Sequence, residues 1–493
     1  MKNKLNTIFG KAFLCILLLP LFFIWHGYVR FYNLIPLQDS FLLILYYFGI
    51  GFILAFLLWP IFKKMNKAFL GAFILLFYQF FFGSVQDVLK KHFAGSFIVK
   101  YSFILTISIL LIVFLFYRIK KRKASLQKLF LYINTLLIVL FLIDSIQLAF
   151  KPAPDKVSIN KDLNLQICDT CSKPDIYLIL ADAYAGQKEI KDLFHYDNTP
   201  FENYLRSKGF YIIDSSFSNY NFTGFSMASM LSLNYLPENN GSNSNKDDIL
   251  LYSNTIKQSV FPRFLQKEGY RFYNYSIFDF EKNPSFTHPN FLPRRTLPII
   301  SQMFTQRILK DLGYHLMTTF KISYFINKTK TVDLRNNEKI FRLTEEIASE
   351  KTAQPKFVYT HLMMPHHPFY YDSIGHRIPL KYLVDGFYYD KNARISYLKY
   401  ANKQFKKLIN HILATSPTPP IILFMGDHGF REFRETVPLH YIYMNLNAIL
   451  LPSGKYDAFY KGQSNVNHLR NFLNTQFHQQ LPMLKDSTIF IRE

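Results

Sequence analysis

The pattern of apolar positions changes near residue 150. Before that point apolar residues run almost unbroken through 12–28, 41–62, 68–84, 101–117 and 129–150, each long enough, at about 17 to 25 residues, to cross a hydrocarbon core as a helix. Beyond it the apolar residues come in short runs. Those at 176–180, 211–213, 357–359, 421–425 and 448–451 predict strands, and the amphipathic segments 201–208, 260–268, 338–350 and 397–414 predict helices between them. This alternation predicts an α/β domain whose sheet is covered by helices on both faces. Residues 151–173 carry Pro152 and Pro154 among polar residues without periodicity and read as a linker. The expected organisation is an anchor of five transmembrane helices over 1–150, the linker 151–173, and one large domain over 174–493, with no second linker and no internal repeat.

Charge supplies the orientation. Lys2, Lys4 and Lys11 precede the first apolar stretch, Lys63, Lys64 and Lys67 fill the second loop, and Arg118, Lys120, Lys121, Arg122, Lys123 and Lys128 crowd the fourth. Basic loops favour the cytoplasmic side. Lys90, Lys91 and Lys100 lie in an opposite loop and are outnumbered. An odd number of spans then puts everything after Phe150 outside the cytoplasm. Trp25 and Tyr28 read as interfacial anchors, and no small-residue cleavage pattern follows, so the first stretch is kept as an anchor.

The net charge is +23, but roughly half of it falls in the anchor, where it sets topology, so no nucleic-acid partner is called for. The remainder suits anionic lipid headgroups, although a solvated basic face is the commoner cause of such an excess. Asp144 is the only acid inside the five stretches and lies near an end, which speaks against a transporter. Cys15 sits within the first stretch. Cys168 and Cys171 form Cys-Asp-Thr-Cys, where a local disulfide is expected in place of a zinc knuckle lacking its other two ligands.

Candidate chemistry clusters at the ends of the predicted strands. Gly426-Asp427-His428-Gly429 follows the apolar run 421–425, so an acid and an imidazole sit where an α/β sheet opens into its ligand crevice. Asp182 follows the run 176–180 and is the only carboxylate there; with Asp427 and His428 it makes an oxygen-plus-imidazole set suited to zinc or manganese. Its plainer role would be a helix N-cap. Thr223 stands where a polar loop gives way to a helical pattern, at a helix N-terminus that favours phosphate. Its hydroxyl is either a cap or a nucleophile, and the second role requires a metal or base beside it. His361, His366 and His367 follow the strand 357–359, flanked by prolines, and His440 comes twelve residues after His428. Imidazoles there can bind phosphate, ligate a second metal, or act as general acid.

Taken in order, Asp182, Thr223, His361 to His366, Asp427-His428 and His440 resemble the extracytoplasmic phosphoethanolamine transferases and lipoteichoic acid synthases of the sulfatase-like alkaline phosphatase superfamily. The resemblance spans nearly the whole chain, since those enzymes also carry five membrane spans before a soluble catalytic domain. It implies an alkaline-phosphatase-like α/β domain. It further implies one divalent metal, zinc or manganese, on Asp182, Thr223, Asp427 and His428, with a second metal as a further option. Asp182 replaces the family's usual glutamate. Thr223 would be the nucleophile; His361 and His366 match two histidines of the substrate site and His440 a third. Asn467 and Arg470 match a late motif with no assigned role. Two departures stand out: no cysteine follows Cys171 where the transferases carry several disulfides, and Phe430 replaces a frequent acid; no Cys/Ser-x-Pro-x-Arg context occurs either, which argues against sulfate ester hydrolysis.

The implied function is metal-dependent transfer of a phosphoryl headgroup from a membrane phospholipid donor, through a phosphothreonine, to an envelope glycan or glycolipid acceptor. Its place would be the outer face of a bacterial cytoplasmic (inner) membrane. The alternative is a membrane-anchored phosphodiesterase or other sulfatase-like hydrolase, with water as acceptor.

Overall fold

A computed structural model describes residues 10–492 except 33, 152–162, 238–245, 286, 288–294, 385–386 and 434. Lys2, Lys4 and the 152–162 part of the expected linker, with both its prolines, lie outside the described residues. The chain divides into two compact units, residues 1–153 with 293–315, and residues 154–292 with 316–493.

The first unit holds the helices Leu14–Arg30, Leu37–Phe62, Met65–His92, Tyr101–Lys121 and Gln127–Ala149. The last four are long and apolar enough to cross a membrane, and Leu14–Arg30 is a shorter apolar helix. Small residues let neighbouring helices approach: a side chain at Gly51 would press on Leu76 and Ile16, and one at Gly71 on Phe62 and Leu58. Asp144, the lone acid of the apolar stretches, is buried and pairs with His26 at 3.1 Å, as an intramembrane charge requires. The inclusion of residues 293–315 in this unit differs from the expected boundaries. Its short helix Leu297–Ile300 and the helix Phe304–Thr318, which begins in it, fall below the length at which a run of hydropathy marks a membrane segment.

The second unit is built on six strands, β1 (Ile176–Ala181), β2 (Tyr211–Ile212), β3 (Arg271–Tyr275), β4 (Lys356–Leu362), β5 (Ile421–Gly426) and β6 (Asn447–Leu450), in the order β2-β6-β5-β1-β4-β3. β1 pairs in parallel with β4 and β5, and β3 with β4, whereas β6 is antiparallel to β5. Strand periodicity splits the core in two. Ile176, Leu178 and Leu180 pack with residues of Thr223–Ser232, Val260–Lys267 and Asn465–Phe477; Tyr177, Ile179 and Ala181 pack with residues of Val332–Ser349 and Lys391–Thr415. Both faces are therefore covered, which explains why the central strands are apolar throughout instead of alternating.

β3 was not expected from the sequence. Its Arg-Phe-Tyr-Asn-Tyr is an edge strand, paired among the described residues with β4 alone and partly exposed, so it lacks the apolar run that marks a central strand. The helix Asn465–Phe477 was also missed because its buried residues include Asn465, Asn467, His468, Arg470 and Asn471, which erase any amphipathic stripe. Cys168 and Cys171 are joined in a disulfide, their Cα atoms 5.5 Å apart.

Candidate active site

The three central strands deliver their carboxyl ends to one place. Ala181 stands in register with Gly426 on one side and Leu362 on the other, so the next residues, Asp182 and Asp427, leave adjacent strands side by side. Ligand atoms of Asp182, Asp427 and His428 lie within 4.8 Å of one another, and all three residues are fully buried. Ala183 adopts the left-handed region, φ 54°, which turns its amide to donate to Asp427 Oδ1 at 2.8 Å. A non-glycine residue held there is strain of the kind that active sites retain.

The hydrogen bonds assign atoms to roles. His428 Nδ1 donates to the Gly429 carbonyl at 2.7 Å, leaving the Nε2 lone pair aimed into the cluster, 3.2 Å from Thr223 Oγ1 and 3.2 Å from Asp427 Oδ2. Among the described residues, Asp182 Oδ1 and Asp427 Oδ2 accept no hydrogen bond. Two buried carboxylate oxygens without donors are costly unless a cation balances them. Burial pushes the Asp182 carboxyl up, yet His366, His361 and His428 together hold it below the ordinary carboxylate range.

Thr223 is the first residue of Thr223–Ser232, whose N-cap is Phe222, with no side-chain capping bond. The Thr223 hydroxyl faces His428 instead, and the buried Ser226 donates to the Asp427 carbonyl at 2.7 Å. Neither does Asp182 cap a helix: the next one, Gln187–Phe194, is preceded by Gly186.

The histidines divide. His361, read from sequence as a substrate-site residue, is fully buried within β4; its Nε2 donates to Asp182 Oδ2 at 3.3 Å while Tyr359 donates to Nδ1 at 3.3 Å. It therefore contacts the Asp182 carboxylate from within the sheet. His366 and His367 stack at 4.2 Å between centroids and gather with Glu432 into a second group of potential ligand atoms. Burial alone would lower the His366 imidazole, but Asp182 and Glu432 outweigh it and raise it. Burial sets the Glu432 carboxyl against His367, His366 and Arg431, which bring it down to about 2. His440 is exposed at the head of the turn Tyr441–Tyr443, its ring 4.2 Å from Tyr441, and belongs to neither group among the described residues. Its spacing from His428 predicts a shared site, but its side chain lies at the surface.

Several supporting residues carry no sequence signal. Arg394, buried in Lys391–Thr415, donates to the carbonyls of Ala183 and Pro365 and lies over the Phe430 ring at 4.8 Å, tying the loops after β1, β4 and β5 together. The Phe430 amide donates to Glu189 at 3.1 Å, whose carboxyl burial pushes well up against the pull of Arg394. Both glycines of the 426–429 motif are dictated by close backbone approach: a Cβ at Gly426 would stand 2.6 Å from the Tyr184 carbonyl, and one at Gly429 2.5 Å from Glu189 and from the Tyr441 carbonyl. Glu432 could have been found by looking for a carboxylate downstream of the Asp-His pair.

Beneath the motif, Asn445 and Asn465 grip its backbone. Asn445 Nδ2 donates to the Gly426 carbonyl at 2.6 Å and Asn465 Nδ2 to the same oxygen at 3.2 Å, while Asn465 Oδ1 accepts from Asn445 and Asn447. Asn465→Ala leaves buried amide groups without partners, so an apparent stability loss of about 2–4 kcal/mol is expected in denaturant unfolding of the purified protein. An unchanged transition would show that the grip contributes nothing. Asn467 and Arg470 fasten the C-terminal tail instead. Asn467 bonds Leu484 through both amide atoms, and Arg470 donates to the Leu233 and Pro482 carbonyls.

A family profile described as Sulfatase matches residues 174–471, the span that carries every side chain of this cluster. The chain belongs to the sulfatase family. It is thus an enzyme-family domain of mixed α/β architecture following a bundle of apolar helices. No curated protein matches the chain. Among solved structures, this sulfatase-family chain is similar to the C-terminal periplasmic domain of EcEptC from Escherichia coli in complex with Zn, at 13% identity over 63% of this chain and 84% of that one, TM-score 0.38. It is also similar to the C-terminal periplasmic domain of phosphoethanolamine transferase EptC from Campylobacter jejuni, at 13% identity over 62% and 90%, TM-score 0.34. A protein in the alkaline phosphatase superfamily from Vibrio parahaemolyticus stands at 14% identity over 66% and 78%, TM-score 0.35. Likenesses of this strength bear on neither substrate nor mechanism.

Proposed function

We propose that this sulfatase-family protein transfers a phosphoryl headgroup from a membrane glycerophospholipid, through Thr223, to an envelope glycan or glycolipid. The observation that supports it best is the Thr223 hydroxyl itself, which makes no capping bond and lies 3.2 Å from His428 beside two buried carboxylate oxygens that lack donors among the described residues. The five apolar helices support a bilayer-resident substrate, because an anchored domain meets lipid headgroups at high effective concentration. On the orientation read from the loop charges, the domain works on the outer face of the cytoplasmic membrane.

Asp182, Asp427, His428 and the Thr223 hydroxyl are the residues that would hold one divalent cation, zinc or manganese. The orphaned oxygens Asp182 Oδ1 and Asp427 Oδ2 fit that occupant. Bound there, the cation would supply Lewis acidity, easing loss of the threonine proton and offsetting charge on the phosphoryl oxygens. The chain's own residues do the rest. His361 fixes the Asp182 carboxylate, the Ala183 amide fixes Asp427, and the N-terminus of Thr223–Ser232 favours the phosphate group.

In the first half-reaction Thr223 Oγ1 attacks phosphorus and the phosphorus–oxygen bond to diacylglycerol breaks. The hydroxyl proton passes to solvent, and His366 gives a proton to the departing oxygen. In the second half an acceptor hydroxyl returns a proton to His366 and attacks the phosphothreonine, which restores Thr223 on uptake of a proton from solvent.

In reconstituted membranes with phosphatidylethanolamine or phosphatidylglycerol labelled in the headgroup, the label is expected on an envelope glycan or glycolipid added as acceptor. Free phosphoethanolamine or glycerol phosphate as the sole product, with that acceptor present, would establish the hydrolase in its place.

A further inference from the structure

Residues 293–315 interrupt the catalytic domain in sequence yet form part of the unit built by the apolar helices. Their seat is specific. The Gly83 amide donates to the Gln302 carbonyl at 2.9 Å, and any side chain at Gly83 would stand 2.3 Å from that oxygen. Ile299 fills the space beside Gly27, Tyr47 donates to the Met303 sulfur at 3.0 Å, and Gln79 donates to Thr305 at 2.8 Å.

The helix Phe304–Thr318 then leaves along the bundle with three differently coloured sides. Phe304, Arg307 and Asp311, spaced by three and four residues, face the apolar helices: Phe304 lies against the rings of Tyr78 and Phe82, Arg307 pairs with Asp87 at 2.8 Å, and Asp311 stands beside Tyr101. A second side carries Leu309 and Leu312, three apart, which are 60% and 52% exposed. A third carries Gln306 and the exposed Lys310.

Behind Phe304, the charged Arg307 and Asp311 turn toward protein while Leu309 and Leu312 turn outward, the reverse of what water selects on a helix laid against a protein. Single exposed leucines are ordinary. Here they belong to the unit of the apolar helices, where Val85 and Val88 of Met65–His92 are likewise 54% and 57% exposed.

We propose that residues 304–312 form an interfacial helix whose occupant is the phospholipid bilayer, with Leu309 and Leu312 among the acyl chains and Lys310 at the headgroup phosphates. The proposal rests on the reading of the apolar helices as membrane spans. It gives the chain a membrane-seated segment drawn from within its catalytic half. It also makes the chain pass between the two units three times instead of once.

The test uses the full chain in lipid nanodiscs. Cys15, the free cysteine, is replaced by alanine, and single cysteines at Leu309→Cys or Leu312→Cys carry a fluorophore. Ile109→Cys, on an outward face of Tyr101–Lys121, reports lipid, and Lys267→Cys, exposed on the catalytic domain, reports water. Labels at 309 and 312 should lose intensity to acyl-brominated lipid as the label at 109 does, and resist iodide. Iodide quenching equal to that at 267 would overturn the proposal, as would protection from both quenchers, which would mean a protein contact. Failure of brominated lipid to quench the label at 109 would overturn the membrane reading of the spans and this proposal with it.

Discussion

Thr223→Ala should reduce headgroup transfer by about a thousandfold or more, because loss of a nucleophile removes the covalent route outright. The folded state should hardly change. A threonine acting as an N-cap would take about 1 kcal/mol of stability with it on truncation, but Phe222 occupies the cap position and no capping bond exists at this helix start. The hydroxyl's partner is His428 Nε2. Circular dichroism should therefore match the parent protein, and metal should be largely retained by Asp182, Asp427 and His428, while turnover of labelled phospholipid falls to background. Activity retained in a folded Thr223→Ala protein would show that the hydroxyl has no part in the chemistry.

Asp427→Asn should lose most of the bound divalent metal, with turnover lost alongside it. Asparagine keeps an oxygen able to accept from the Ala183 amide, so the loop after β5 should stay in place. What disappears is one of the negative charges that a hard cation requires. Elemental analysis of the purified parent and variant, each dialysed against the same zinc or manganese buffer, reads the difference. Equal metal in both would remove Asp427 from the ligand set. Asp427→Ala serves as the harsher comparison, since it also leaves the buried Ala183 amide without a partner.

Much of this was legible in the chain. The apolar stretches before residue 150 each became a helix, and the runs 176–180 and 421–425 became the central strands, because burial on both faces demands unbroken hydrophobicity. Asp182 and Asp427-His428 were visible because each directly follows such a run. Thr223 was visible as a helix start, although only the observed cap position separates its two readings.

The rest depends on distant pairing. His361 looked like a substrate residue by its spacing from His366, yet the β1–β4 register sets it beside Leu180 and under Asp182. His440 lies close to the Asp-His pair in sequence, yet it is exposed and joins neither group of potential ligand atoms among the described residues. Arg394, Asn445 and Asn465 act through backbone carbonyls of other segments, an interaction that leaves no local pattern. Residues 293–315 join the apolar unit through Gly83 and other partners more than 200 positions away. No window of hydropathy reports such a contact.

The most direct test of the central claim is the intact mass of the protein after brief exposure to phosphatidylethanolamine or phosphatidylglycerol without acceptor. A mass increase equal to the phosphoryl headgroup, mapped by fragmentation to Thr223, absent from Thr223→Ala and discharged on adding acceptor, is the predicted result. Rapid consumption of the lipid with no adduct at any time, or an adduct on a residue other than Thr223, would contradict it.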